Sequence, residues 1–373
     1  MGREEKMKST CFVPAYICWT AYISAVISIA ITFHYPVHDN PMYNGLAAHV
    51  IATVVIYLFS LTYSNTSIYD PFWTYIPIAL AIGWIVSAPT TTTTTTTTII
   101  TMTSVRGWVA LLLLIAWCSR YALQWPWTGW FTGLHHEDWR YVAIAEKTGS
   151  GTILYWVASL VSLHLTPTIL VFCALSPMQR VWTKGKEAAT MTATTTNPFG
   201  SATDIAGVIV CLSAMLIQHS ADSTLFKFRA KAYGSSDKLD YKSSSKKICQ
   251  QGLWKYSRHP NYFGEVFFWF GIALLAYAET DNNFVRDWSG SIIMLLFFRV
   301  SAYLTDQRML KNRGDKYQQV MNSVAIDTVS FLVALIFLYT MPWRYYMYLD
   351  FTILVLHDDN NKKKREKWTR NII

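Results

Sequence analysis

Between Gly252 and Glu265 the chain reads Gly-Leu-Trp-Lys-Tyr-Ser-Arg-His-Pro-Asn-Tyr-Phe-Gly-Glu and then runs directly into an apolar stretch. Lys255, Arg258 and His259 are followed at once by an amide, a phenol and a carboxylate: Asn261, Tyr262 and Glu265. Polar and ionisable groups at the edge of an apolar segment are costly, so a dense cluster there marks a site. Pro260 disfavours helix at His259 and is preorganised to begin a new helix. In that helix Asn261 and Glu265 stand four apart and Tyr262 and Glu265 three apart, a spacing that puts all three on one face. Arginine grips phosphate with a fixed fork of donors, while amide and carboxylate oxygens accept from hydroxyls. The set suits a ligand that carries both phosphate and hydroxyl groups. The alternative is a juxtamembrane loop whose cations touch lipid headgroups; this explains Lys246 and Lys247 but not Asn261 and Glu265.

Other residue types carry less. His135-His136-Glu137-Asp138 has the look of a metal cluster, yet nine histidines in the whole chain, most of them isolated, fall short of the several boxes a di-iron centre needs; no metal is expected. Asp138, Trp139 and Arg140 read better as pairing and packing that hold a loop. His164 and His219 lie in apolar stretches and read as hydrogen-bonded to neighbouring helices. The six cysteines show neither a disulfide framework nor zinc spacing. Glycine-rich phosphate loops and nucleophile elbows are absent from the sequence.

The elements that position the cluster must be membrane helices. The chain has 373 residues, 52% hydrophobic and only 15% charged, with 16 Trp, 22 Tyr and 19 Phe. Soluble proteins carry about 25% charged residues, and a bilayer-spanning helix needs roughly 20 apolar residues. Candidate spans are Phe12–Phe33, Ala47–Tyr63, Phe72–Ala88, Ile99–Leu123, Thr152–Leu175, Ile205–Phe226, Gly264–Ala278, Ser289–Leu304 and Val324–Trp343, with Tyr345–Leu356 a shorter tenth segment. The expected fold is all-α, a polytopic membrane bundle of about nine to ten transmembrane helices. Thr90–Thr98, an unbroken run of nine threonines, is expected to be an extended loop.

Net charge is +9, from 32 basic and 23 acidic residues. The excess is concentrated beside a span: 227–264 holds nine Lys/Arg against two Asp. That block reads as a cytoplasmic loop, not as a nucleic-acid surface. The acidic stretch Glu279–Asp287 then lies on the opposite side, and the sequon Asn65-Thr66-Ser67 falls on the cytosolic side.

The segment GLWKYSRHPNYFGE, with the aromatic helix after it, resembles the signature of the steroid 5-alpha-reductase C-terminal-like membrane proteins, relatives of sterol C14- and C7-reductases and, more distantly, of isoprenylcysteine carboxyl methyltransferases. Glu137-Asp138-Trp139-Arg140-Tyr141, Ala221-Asp222, Phe226-Lys227, Asp306-Gln307-Arg308 and Lys316-Tyr317 are similar to flanking pieces of that pattern, so the resemblance covers roughly residues 120 to 320. It divides the chain into N-terminal helices (1–120), a cofactor-binding membrane domain (121–320) and an extra C-terminal span with a basic tail (321–373). It implies NADPH as cofactor and a lipid substrate that enters from the bilayer. It further implies the endoplasmic reticulum membrane, with the cofactor site facing the cytosol. Carried over residue by residue, Arg258, His259, Asn261, Tyr262 and Glu265 line the cofactor site, assisted by Asp222, Trp254, Lys255, Arg308 and Tyr317. Tyr262 is the candidate proton donor. The pattern departs after Tyr317, where Gln318-Gln319-Val320-Met321 leads into another apolar stretch. The expected activity is reduction of an activated C=C bond in a lipid. The rivals are an S-adenosylmethionine-dependent methyltransferase and a structural membrane protein that kept the fold without the activity.

Overall fold

The computed structural model describes residues 13–87, 104–124, 137–183, 198–233, 247–279 and 284–324. These all fall in one compact unit, 1–326, and a second unit, 327–373, lies outside the described residues. So do the polythreonine run, His135 and His136, the tenth apolar segment and all of the ninth beyond Val324.

The described residues form helices and connecting turns, with no strand among them. In chain order the helices are α1 (Ala15–His34), α2 (Pro41–Thr62), α3 (Tyr69–Ser87), α4 (Val105–Leu123), α5 (Trp139–Thr148), α6 (Ile153–Thr183), α7 (Ala202–Tyr233), α8 (Pro260–Glu279), α9 (Phe284–Arg313) and α10 (Asp315–Ser323). Seven of them, α1, α2, α4, α6, α7, α8 and α9, are long and apolar enough to cross a membrane. The protein is an all-α polytopic membrane bundle. The expected third span falls on α3, a helix of 19 residues that carries Asp70 and Pro71 in its first turn.

Side-chain caps start several of these helices. Asn40 caps α2 ahead of Pro41 by accepting from the Met42 amide. Ser104 caps α4, and Asp138 caps α5. Ser201 and Asp204 cap α7 reciprocally: each side chain accepts from the other's backbone N–H at 3.1 Å.

Cross-links between helix ends define the topology. At one end Trp84 donates to the Pro41 carbonyl and stacks on Trp182, whose indole donates to the Gly107 carbonyl. Here too Arg106 pairs with Asp204 and Glu279, and all three are buried. The opposite end gathers Ile68, Glu137, Tyr155, Arg120, Asp222, Arg258 and Asp306, joined in groups by side-chain hydrogen bonds. Consecutive long helices therefore alternate in direction, and the motif Gly252–Glu265 shares its end with Asn65–Ile68. This second end is called the motif end below. Asn65 is fully buried, with its side chain accepting from the Ser67 amide, so the sequon has no room for a glycan.

The seam that fixes the motif is the contact between α7 and α8. A Cβ on Gly264 would lie 2.4 Å from Cγ of Gln218, and one on Gly271 would lie 2.4 Å from Sγ of Cys211 and 2.9 Å from its backbone nitrogen. Small residues let the two backbones approach closely, as membrane helices require when lipid supplies no hydrophobic drive between them. Gly207, Cys211, Ala214 and Gln218 recur at four- and three-residue steps and face that seam.

Candidate functional site

α8 begins at Pro260, as the sequence predicts, and the short 3-10 turn Gly252–Lys255 precedes it. Trp254 in that turn donates its indole N–H to the Ala221 carbonyl at 2.8 Å and docks the turn on α7 beside Asp222. From here the motif residues separate into two clusters.

The first cluster surrounds Asp306 of α9. Its carboxylate pairs with Arg258 Nη2 at 3.0 Å and with His259 Nε2 at 2.9 Å, and it accepts from the Tyr317 hydroxyl at 2.5 Å. Arg258 Nη1 donates to the carbonyls of Met321 and Val324 at 2.9 and 3.0 Å, closing the C-terminal end of α10. All four side chains are buried. Burial, and then the hydrogen bond to Asp306, push the Tyr317 phenol well above its ordinary range. The Tyr262 ring stacks on His259 at 5.2 Å and leans on Phe298 of α9.

The second cluster lies across α4, α7 and α8. The Glu265 carboxylate, 3% exposed, accepts from three side chains: Tyr121 at 2.8 Å, Trp117 at 3.2 Å and Trp269 at 3.0 Å. Arg120 lies over the Tyr121 ring, 4.0 Å from its centroid, and pairs with Asp222 at 3.1 Å. Asn261 donates to the other Asp222 oxygen at 3.2 Å. Gln124 bonds both Arg120 and His219. A continuous polar line thus runs from Asn261 at the motif end down to Glu265 within the span.

Two differences from the sequence expectation stand out. Asn261 and Glu265 share a face, but Tyr262 does not join them: at about 100° per residue it falls on the adjacent stripe and meets α9. Arg258, expected to fork a phosphate, has its guanidinium engaged by Asp306 and two carbonyls. Lys255 is exposed. Arg308 is partly buried and, two residues beyond Asp306, lies on another face of α9. Arg120, Trp117, Tyr121, Trp269 and Gln218 were missed as site residues. Arg120 had a signal, since it and Arg106 are the two charged residues, at opposite ends, of an apolar helix; the indoles had none, because tryptophan is common throughout the chain.

Several buried polar atoms near the second cluster have no partner among the described residues: both amide atoms of Gln218, Nε of Arg120 and the Ser223 hydroxyl. Gln218 stands one turn before Asp222 on α7 and packs on Gly264, next to Glu265. On the motif-end surface, Ile248, Gln250, Lys316, Gln319, Val320 and Ser323 line a cleft of about 470 Å³. No group of metal-ligating side chains occurs among the described residues.

With this geometry in place the chain can be assigned to its class. A family model described as a protein of unknown function (DUF1295) matches residues 56–324, and the chain belongs to that family. The match takes in α3 to α10 and both clusters. Neither the curated proteins nor the solved structures contain a match to the chain.

Proposed function

We propose that this protein is a membrane-embedded, NADPH-dependent reductase of an activated C=C bond in a lipid, with the cofactor taken up at the motif end. The observation that carries the reading is the set of unpartnered buried polar atoms on Gln218, Arg120 and Ser223 beside the Asn261–Asp222–Arg120 line. An unmet buried donor or acceptor costs about 1–3 kcal/mol, and native proteins keep few of them. Gln218, packed on Gly264, and Arg120, paired with Asp222, border the Glu265 cluster, and their unmet groups suit a ligand with amide and hydroxyl functions. The donor set also fits the rest of such a cofactor: Lys255 is exposed at the end of the docked turn, and Lys316 lines the motif-end cleft. The resemblance of RHPNYFGE to the steroid 5-alpha-reductase-like signature points the same way.

When bound, NADPH supplies a hydride. The residues of this chain hold and orient. Trp254 fixes the loop on α7, and Asp306 fixes the start of α8 through Arg258 and His259. Asn261 and Gln218 offer amides, and the Glu265 cluster excludes water from the span. The positive-inside asymmetry supports a cytosolic motif end, and the endoplasmic reticulum is the membrane the resemblance suggests.

The test is thermal stability of the full chain in detergent with NADPH, NADH or S-adenosylmethionine. Ligand at about 100 times its dissociation constant adds about 2.7 kcal/mol. Stabilisation by NADPH above NADH is the expected result. A response to S-adenosylmethionine alone replaces the reductase with a methyltransferase, and no response to any of them leaves a structural protein.

A further inference from the structure

A second buried polar system lies in the N-terminal half, and neither cluster of the candidate site uses it. It begins at Glu137, the partly buried acid just before α5. Its Oε1 accepts from the Thr66 amide at 2.9 Å and from the Tyr155 hydroxyl at 3.1 Å. The Tyr155 oxygen lies 2.8 Å from the Thr66 hydroxyl, which lies 3.3 Å from the Ser159 hydroxyl. Nδ1 of His164 then sits 3.4 Å from that hydroxyl and 3.0 Å from the Ser159 carbonyl, and its Nε2 meets the Ser60 hydroxyl at 3.2 Å. Thr66, Ser159, His164 and Ser60 are fully buried, and Tyr155 is 3% exposed. An independent feature marks the same place. Ser159–Leu165 is a π-helical stretch inside α6, a rare local form that recurs at functional sites, and it turns His164 inward against Tyr57 and Tyr69.

We propose that Glu137, Tyr155, Thr66, Ser159 and His164 form a proton relay that joins the aqueous motif end to an imidazole buried in the span. Chains of acids, hydroxyls and histidines inside membrane bundles serve this purpose. With Glu137 ionised, the hydroxyls are polarised outward. Tyr155 donates to the carboxylate, Thr66 to Tyr155, Ser159 to Thr66, and the His164 Nδ1–H, shared with the Ser159 carbonyl at 3.0 Å, to the Ser159 hydroxyl at 3.4 Å. One concerted shift moves each proton one place along. It converts imidazolium and carboxylate into neutral imidazole and carboxylic acid, and every hydroxyl keeps one proton. Burial raises the Glu137 pKa above the ordinary carboxylate value. The charged neighbour in this loop is Asp138, while Tyr141 and Asp70 are bonded to one another. A reduction of a C=C bond takes up one proton, but the relay does not depend on that reading.

The test needs no cofactor or substrate. The full chain carrying 15N-histidine is placed in lipid nanodiscs, and His164 is identified by the resonances absent from His164→Gln. The rate at which its Nδ1 proton exchanges with water is then measured. Thr66→Val removes the central hydroxyl and should slow exchange at least about tenfold, the effect of a barrier higher by about 1.4 kcal/mol. Thr66→Ser should restore it. Tyr155→Phe, which keeps the ring against Trp156, should act like Thr66→Val and serves if the valine variant does not fold. A purely structural hydroxyl gives the opposite sign, because loosened helices exchange faster. Exchange that is unchanged or faster in the blocked variants, or undetectable in the unaltered chain, overturns the relay.

Discussion

Arg258 of the motif and Asp306 of α9 form a buried ion pair at 3.0 Å, and the same guanidinium closes the end of α10. The arginine therefore pins three elements together. Removing one partner of a buried pair leaves an uncompensated charge, a loss of about 3–5 kcal/mol. Asp306→Ala should lower the thermal midpoint of the protein in detergent far more than Lys247→Gln, which alters a charge outside the cluster. Equal midpoints for the two variants would show that the pair contributes little.

The α7–α8 seam gives a second expectation. Gly271→Ala brings a methyl group within 2.4 Å of Cys211 Sγ and 2.9 Å of its backbone nitrogen. Overpacking of this kind costs typically about 1–3 kcal/mol, and backbone cannot yield as a flexible side chain can. Unfolding of Gly271→Ala measured by circular dichroism in detergent should begin at lower temperature. The double variant with Cys211→Ala should recover part of the loss, since only the thiol contact is relieved.

The helices were legible in the sequence because their signal is length and apolar content: eight expected spans coincide with α1–α4 and α6–α9. The motif was legible because charged and amide groups at the head of an apolar helix have no lipid-facing explanation. The partners were not. Glu265 meets Tyr121 and Trp117 across more than 140 residues of chain, and no local spacing encodes such a contact. Nor does the identity of Arg258, a fork of donors, reveal that Asp306 and two carbonyls hold its two terminal nitrogens.

Glu137 gives a pH-dependent expectation. Burial, acting against hydrogen bonds from Thr66 and Tyr155, raises its folded pKa above the value of 4.5 for a free side chain. For an acid shifted upward, the favourable contribution is present below the unfolded pKa and is lost as pH rises through the folded value. At neutral pH the carboxylate thus works against the fold. Glu137→Gln should gain stability relative to the unaltered protein as pH rises from about 4 to about 7, with little difference at the acidic end. A difference that grows instead toward low pH would reverse the sign argued here.

Gln218 separates a ligand contact from a packing residue. Its buried amide has no partner among the described residues, and an apolar group of similar shape removes that unmet demand, a change that is neutral or stabilising. Gln218→Leu should therefore fold at least as well as the unaltered chain. If the amide serves the cofactor, as proposed, NADPH affinity should nevertheless fall about five- to tenfold, the worth of one hydrogen bond of about 1–1.5 kcal/mol. Asn261→Leu should weaken binding as well, but it also leaves one Asp222 oxygen without its donor and lowers stability, so it cannot make the distinction alone. Titration of NADPH against both variants, with midpoints recorded in the same detergent, checks this. A Gln218→Leu protein that is more stable and binds NADPH with undiminished affinity would remove Gln218 from the site and leave its amide as a packing defect between α7 and α8.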